Sequence, residues 1–358
     1  MSVLTRLIPA PAAVHIGAGV AGNLAEILAD QRISTSGQLA IVISEGSGAV
    51  LRDQLADQLP ATAGWFPIAG GSLDTAVDLA DRIRAAKIPY DTIVGFGGGK
   101  VIDVTKYAAA RLGLPMVAVA TNLAHDGICS PVSTLDNDAG RGSYGVPSPI
   151  GIIVDLDVIR QAPPRFVAAG IGEAVSNISC IADWELSYRE TGEAVDGLAA
   201  AMSRTSGNMM LRHPGSLADD DFLGALAEAL VLTGISMNVA GSSRPASGGC
   251  HEISHALDLL YPTRSAQHGE QVGLGGAFAT YLRGDLDLCA QMAAVLARHN
   301  LPVTADQIGF TDEEFIAAVH YAPQTRPGRF TILEHLDLDP TAIRDAYTDY
   351  VKHVSTSA

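Results

Sequence analysis

Lysine is scarce in this chain, occurring four times in 358 residues, at Lys87, Lys100, Lys106 and Lys352. Basic residues number 23 against 39 acidic ones, a net charge of −16. Such a surface repels nucleic acid and anionic membrane, so neither is expected as a partner. It also means that any anionic substrate must be held by local donors acting against the overall field. Cysteine is equally sparse. Cys129, Cys180, Cys250 and Cys289 stand far apart with no CxxC pair, which disfavours a disulfide framework or zinc knuckle and fits a reducing compartment. No apolar run reaches the roughly 18 residues of a membrane span. Pro9 and Pro11 break the N-terminus before a cleavable apolar core can form, so no signal peptide is expected and the cytoplasm is the expected location.

What is present is a globular balance, 47% hydrophobic and 17% charged, in a chain long enough for two domains. The first part alternates apolar runs of strand length with helical stretches. Ala13–Gly17, Leu39–Ser44, Thr92–Gly97, Met116–Ala120 and Ile150–Asp155 read as strands. Val20–Ala29, Ala49–Leu59, Leu73–Lys87 and Val101–Leu112 read as helices. Runs apolar nearly throughout suit a parallel sheet covered on both faces. After Pro163-Pro164 the strand-like runs stop and helical spacing takes over. Phe166–Arg189, Glu193–Met210, Asp220–Ala240, Gly249–Leu260 and Gln271–Leu282 are expected helices, with more following to about Val354. The expected domains are therefore an α/β unit over 1–162 and an all-α unit over 163–358.

Two segments carry chemistry. In TIVGFGGGKVIDVTKYAA (92–109) a strand runs into Gly97, Gly98 and Gly99 and then a helix. Glycines let a phosphate approach the backbone, and the helix start presents free N–H groups and a positive dipole end. The spacing is neither GxGxxG nor a P-loop, and a strand-to-helix glycine cluster also serves as a plain tight turn. Two of the four lysines, Lys100 and Lys106, fall here and favour the phosphate reading. Glu45, after the second strand, is placed either to bind a ribose or as a solvated loop carboxylate.

The second segment is SSRPASGGCHEISHALD (242–258), where His251 and His255 share one helix face. His268 follows in QHGEQVG, and Glu173 lies upstream in AAGIGEAVSN. Two imidazoles and a carboxylate with positions left open form the usual set for a catalytic divalent ion. Histidines four apart on a helix also occur as plain packing residues.

With these residues in place, the chain resembles the iron-containing alcohol dehydrogenase and dehydroquinate synthase superfamily, and within it the sn-glycerol-1-phosphate dehydrogenase branch. The resemblance rests on GFGGGKVIDVTKYAA, VATNLAHDGICSP, GIIVDLDVI, AGIGEAVSNISCIADWEL, SRPASGGCHEISHALD and QHGEQVGLG, in family order over roughly the middle half of the chain. It implies a Rossmann-like NAD(P)-binding domain followed by an all-α metal-binding domain, the dehydroquinate synthase-like fold. It implies cofactor contacts from Gly97, Gly98, Gly99, Asp103, Thr121, Asn122 and Ser130, beside Lys100 in the glycine turn and Glu45 at the ribose position, which come from their own placement. Glu173, His251 and His268 fall on the metal-ligand positions, and Asp126 on the one that orients substrate hydroxyls. His255 is either a proton relay or a packed helix residue. Glu173 departs from the branch, which typically has aspartate there. Ser176 stands where the cyclising enzymes carry a lysine.

The resemblance further implies a metal-dependent NAD(P)H-linked oxidoreductase of a small ketone and its secondary alcohol, foremost dihydroxyacetone phosphate and sn-glycerol 1-phosphate. Zinc is the first expectation for the metal, with iron, nickel or manganese also admitted. A homo-oligomer, dimer or higher, is expected. Arg244, Ser247 and Arg264 are candidate phosphate contacts, although single arginines more often form structural ion pairs. An unphosphorylated polyol or specialised-pathway ketone, a redox-neutral lyase or cyclase, and an inactive binding protein are the other readings.

Overall fold

The computed structural model describes residues 8–46, 48, 52–53, 56, 59, 61–138, 140–264 and 266–357. The helix expected over Ala49–Leu59 lies largely outside the described residues. Two compact units divide the chain, one of Met1–Asn122 with Gly127–Ala162, the other of Leu123–Asp126 with Pro163–Ala358.

The first unit contains strands β1 (Ala13–Gly17), β2 (Leu39–Ser44), β3 (Gly64–Ile68), β4 (Thr92–Gly97), β5 (Met116–Ala120), β6 (Val132–Asn137), β7 (Gly140–Gly145) and β8 (Gly151–Asp155). Its helices are α1 (Leu24–Leu28), α2 (Leu73–Ala85), α3 (Gly99–Leu112) and α4 (Leu156–Ile159). Six strands form a parallel sheet in the order β1-β8-β5-β4-β2-β3. The inner strands are buried almost throughout, as expected of a sheet covered on both faces.

Edge strand β3, Gly-Trp-Phe-Pro-Ile, was not expected. Pro67 offers the ladder no N–H, which an edge tolerates and a central strand does not. The antiparallel β6–β7 hairpin was also unexpected, because its glycine-rich, polar sequence carries little apolar alternation. The helix expected over Val20–Ala29 is instead a 3₁₀ turn, Val20–Asn23, followed by α1.

Strand order identifies one crevice. β3 lies on one side of β2 and β4 on the other, so the connections diverge at the carboxyl ends of β2 and β4. In open α/β sheets this divergence is where ligands bind. Glu45 follows β2, and Gly97–Gly99 end β4 and begin α3.

The described residues of the second unit hold no strand. Its helices are α5 (Pro164–Thr191), α6 (Gly197–Arg212), α7 (Asp220–Ala240), α8 (Gly249–Leu260), α9 (His268–Leu282), α10 (Leu286–Arg298), α11 (Asp312–Tyr321), α12 (Ile332–Leu336) and α13 (Pro340–Ser357). Against the expectation that no apolar stretch reaches membrane-spanning length, α7 is long and apolar enough by composition to cross a membrane. It is instead a core helix, with 72% of its most apolar window buried inside the protein. The helix α9 begins at His268, ahead of its apolar periodicity, because Gln267 and Glu270 close a capping box.

Helices α5 and α9 meet backbone to backbone. A Cβ on Gly172 would lie 2.1 Å from the Gly269 carbonyl oxygen, and one on Gly269 would lie 1.8 Å from that of Ala169. Only glycine permits this approach, and the neighbours in sequence are Glu173 and His268.

Candidate active site

The second unit brings Glu173, His251 and His268 together, with one ligand atom of each within 4.8 Å of the others. Nε2 of His268 lies 3.5 Å from one carboxylate oxygen of Glu173, and Nε2 of His251 lies 3.8 Å from the other. The glycine contact supplies the first two ligands from α5 and α9. Asp183 on α5 supplies the third by fastening the start of α8, its Oδ2 accepting from the Gly249 N–H at 2.8 Å.

Electrostatics favour a cation here. Burial pushes the Glu173 pKa up, but the imidazoles of His268 and His251 outweigh it and hold the carboxyl at about 2. Its Oε2 is buried and accepts no hydrogen bond, an arrangement that is costly unless a positive charge stands against it. Burial drives His268 down to about 4, leaving it neutral and able to ligate. Burial also opposes charge on His251, yet Cys250 and Glu173 draw its pKa up to about 10. The carboxylate and its surroundings therefore favour positive charge at this point, met by a proton on His251 or by a metal that displaces it, and the donor set suits a divalent metal. The longer side chain of Glu173 reaches both imidazoles, so glutamate fits the position.

Residues not anticipated from the sequence orient these ligands. The Ser254 hydroxyl donates to Gln271 Oε1 at 2.6 Å and therefore accepts from His268 Nδ1–H at 3.1 Å. This fixes the tautomer that turns the free Nε2 toward Glu173. Gln271 is braced in turn by Asp258. Behind His251, the sulfurs of Cys250 and Cys180 lie 3.3 and 3.9 Å from Nδ1 and 3.4 Å from each other. His125 adds a third imidazole acting on Glu173 and His268, beside the buried Asp126. Its adjacency to Asp126 was the available signal. Ser254, Gln271 and the cysteines carried none, since each acts through partners distant in sequence.

His255, a turn along α8 from His251, is pushed down to about 2 by burial and by the positive charges of Arg326, His251, His268 and Arg329. It is a neutral imidazole.

In the first unit, Gly97, Gly98 and Gly99 form the turn into α3 with Lys100 exposed beside them. Asn122 Nδ2 packs over Gly98, where a Cβ would meet it at 2.5 Å, and the Thr121 N–H donates to the Gly97 carbonyl at 3.1 Å. Glu45 is exposed after β2. Asp103 pairs with Lys106 at 2.9 Å, and Lys106 also reaches the carbonyls of Ser130 and Val132. The expected contribution of Lys106 to a phosphate site is thereby corrected. It is fully buried and ties α3 to the segment around the buried Ser130.

Two phosphate candidates are corrected as well. Arg244 is buried and committed to Glu193, the Ser187 hydroxyl and the Phe330 carbonyl. Arg264 pairs with Glu314 and lies over Tyr261 and Phe310.

Residues 15–163 match the iron-containing alcohol dehydrogenase family. The chain is 35% identical to a glycerol-1-phosphate dehydrogenase [NAD(P)+] of Methanospirillum hungatei, covering 90% of this chain and 89% of that one. It is 34% identical to the enzyme of that name from Methanothermobacter thermautotrophicus, over 92% and 93%. Among solved structures it superposes on a probable glycerol dehydrogenase from Sinorhizobium meliloti with a TM-score of 0.77, at 22% identity and 99% coverage of both chains.

Proposed function

The chain belongs to the iron-containing alcohol dehydrogenase family, and from that premise we propose that it interconverts dihydroxyacetone phosphate and sn-glycerol 1-phosphate with NAD(P) and one divalent metal, zinc before iron, nickel or manganese. The observation that carries this reading is the triad of Glu173, His251 and His268, with a buried carboxylate oxygen that accepts no hydrogen bond among the described residues. The reaction itself is drawn from the glycerol-1-phosphate dehydrogenases [NAD(P)+] that match across nearly the whole chain.

When bound, the metal supplies Lewis acidity to a carbonyl oxygen and the dinucleotide supplies or accepts hydride. The protein's own residues do the rest. Glu173 neutralises part of the ion's charge, and Ser254 holds His268 in its ligating tautomer. Neutral His255 offers a ring nitrogen through which the hydroxyl proton passes outward. Asp126 orients the substrate hydroxyls. In the first unit the glycines and the free N–H groups of α3 receive the pyrophosphate. Lys100, Asp103, Thr121, Asn122 and Ser130 extend that surface, and Glu45 takes the adenine ribose.

The test is nicotinamide absorbance with dihydroxyacetone phosphate, on protein stripped with chelator and reloaded with zinc. Metal-dependent oxidation of NADH or NADPH is expected. Silence from protein that still binds metal and NADH would overturn the reaction, and substrate turnover with no net change in cofactor would point to lyase or cyclase chemistry.

A further inference from the structure

Cys180 on α5 and Cys250 on α8 stand 70 residues apart in the chain, yet the fold brings their sulfurs to 3.4 Å. Both thiols are free and fully buried. Nδ1 of His251 completes a triangle with them, 3.3 Å from the Cys250 sulfur and 3.9 Å from that of Cys180, while its other nitrogen, Nε2, faces Glu173. Among the described residues the hydrogen bonds of the two sulfurs and Nδ1 run only to one another. Two sulfurs and an imidazole nitrogen are the donor set of thiophilic ions. The spacing agrees with that chemistry. Metal–sulfur and metal–nitrogen bonds of about 2.3 and 2.0 Å at tetrahedral angles hold two ligand atoms roughly 3.5–3.8 Å apart, a range that the three observed separations bracket. An ion bonded to all three needs no cavity, because it takes the space of the two thiol hydrogens and the hydrogen on Nδ1.

The frame around the triangle is fixed by backbone packing. A Cβ on Gly248 would lie 3.1 Å from the Cys180 Cα, and one on Gly275 would lie 3.1 Å from the Cys250 Cα. Backbone therefore presses on backbone behind each cysteine, and Asp183 fastens the start of α8 at the Gly249 N–H. Cys250 and His251 stand in the first turn of that helix, where its dipole favours anionic sulfur. The donors are in place before any ion arrives. Their full enclosure matches a structural metal site, in which the protein supplies the ligands and no position is left open.

We propose that Cys180, Cys250 and Nδ1 of His251 form a second metal site, for a thiophilic d10 ion such as zinc or monovalent copper, back to back with the Glu173 site across one shared imidazole. Filling it releases the two thiol protons and the proton on Nδ1. His251 then serves one site from each ring nitrogen, and the bound ion ties α5 to α8. The inference is independent of the proposed reaction.

The experiment uses cadmium(II), a d10 probe whose bonds to thiolate absorb in the ultraviolet, loaded onto chelator-stripped, reduced protein and, separately, during expression in cadmium-supplemented medium. Wild type is expected to show a saturable thiolate-to-metal charge-transfer band. The band is expected to fall at least about twofold in Cys180→Ser and in Cys250→Ser, each of which removes one of the two thiolates. It is expected to hold in Cys289→Ser, whose buried thiol belongs to α10, and in Glu173→Gln, which removes a ligand of the other site only. Circular dichroism establishes that each variant is folded. No band in wild type under either loading, or an undiminished band in folded Cys180→Ser and Cys250→Ser, would overturn the site. A band that disappears in folded Glu173→Gln would overturn it as well, because the sulfurs would then belong to the Glu173 site.

Discussion

The histidine ligands depend on residues that never touch the metal. His268 is held by Ser254, Ser254 by Gln271 and Gln271 by Asp258. Replacing Ser254 with Ala frees the ring to rotate and to change tautomer, and such partners commonly carry about ten- to a hundredfold in metal affinity. Ser254→Ala is expected to lose zinc to a competing chelator at least about tenfold more readily while keeping its thermal midpoint without metal. Equal chelator resistance would mean that packing alone holds the ring. At this scale the sequence was legible where residue type announces chemistry, as with Glu173, His251 and His268. It was opaque where a common residue matters only through its neighbour. Arg244 and Arg326 look alike in a sequence, and only the fold shows Glu193 bonded to one and, among the described residues, the Ser243 hydroxyl bonded to the other.

Among the elements, apolar runs identified the inner strands, and helical spacing identified α5 to α9, because burial on both faces or on one stripe leaves a periodic mark. The mark vanishes at β3, where Pro67 interrupts it, and along β6–β7, which buries little apolar surface. It also gives no warning of backbone contact between helices. Gly172→Ala would drive a methyl into the Gly269 carbonyl and is expected to cost roughly 1–3 kcal/mol or more, as overpacking does, and to weaken metal binding with it. Gly224, in α7, has nothing within 4 Å of its ideal Cβ. Gly224→Ala is expected to gain roughly 0.5–1 kcal/mol from helix propensity. Denaturant midpoints of the two variants should move in opposite directions, and a shared direction would refute the packing account.

For the molecule as a whole, pH tolerance depends on imidazoles kept neutral. His299 is buried, stacked on Phe222 at 4.8 Å. Burial, with Arg298 and His213 nearby, lowers its pKa from 6.5 to about 4. The unfolded chain therefore takes up a proton that the folded one refuses. Stability is retained above about pH 6.5 and lost as pH falls toward 4. The thermal midpoint of chelated protein is expected to drop across that window, and less steeply in His299→Phe, which keeps the ring stack. Parallel curves would remove His299 from the account. The backbone contact at Gly172 and Gly269 bears on the whole molecule differently, because it acts as a fixed gauge between two helices. Neither helix can slide inward to meet a shorter acid, so changing Glu173 to aspartate would open a gap that no side-chain rotation closes. Carboxylate length and helix spacing are a matched pair here, and any lineage of variants that alters one must alter the other in step.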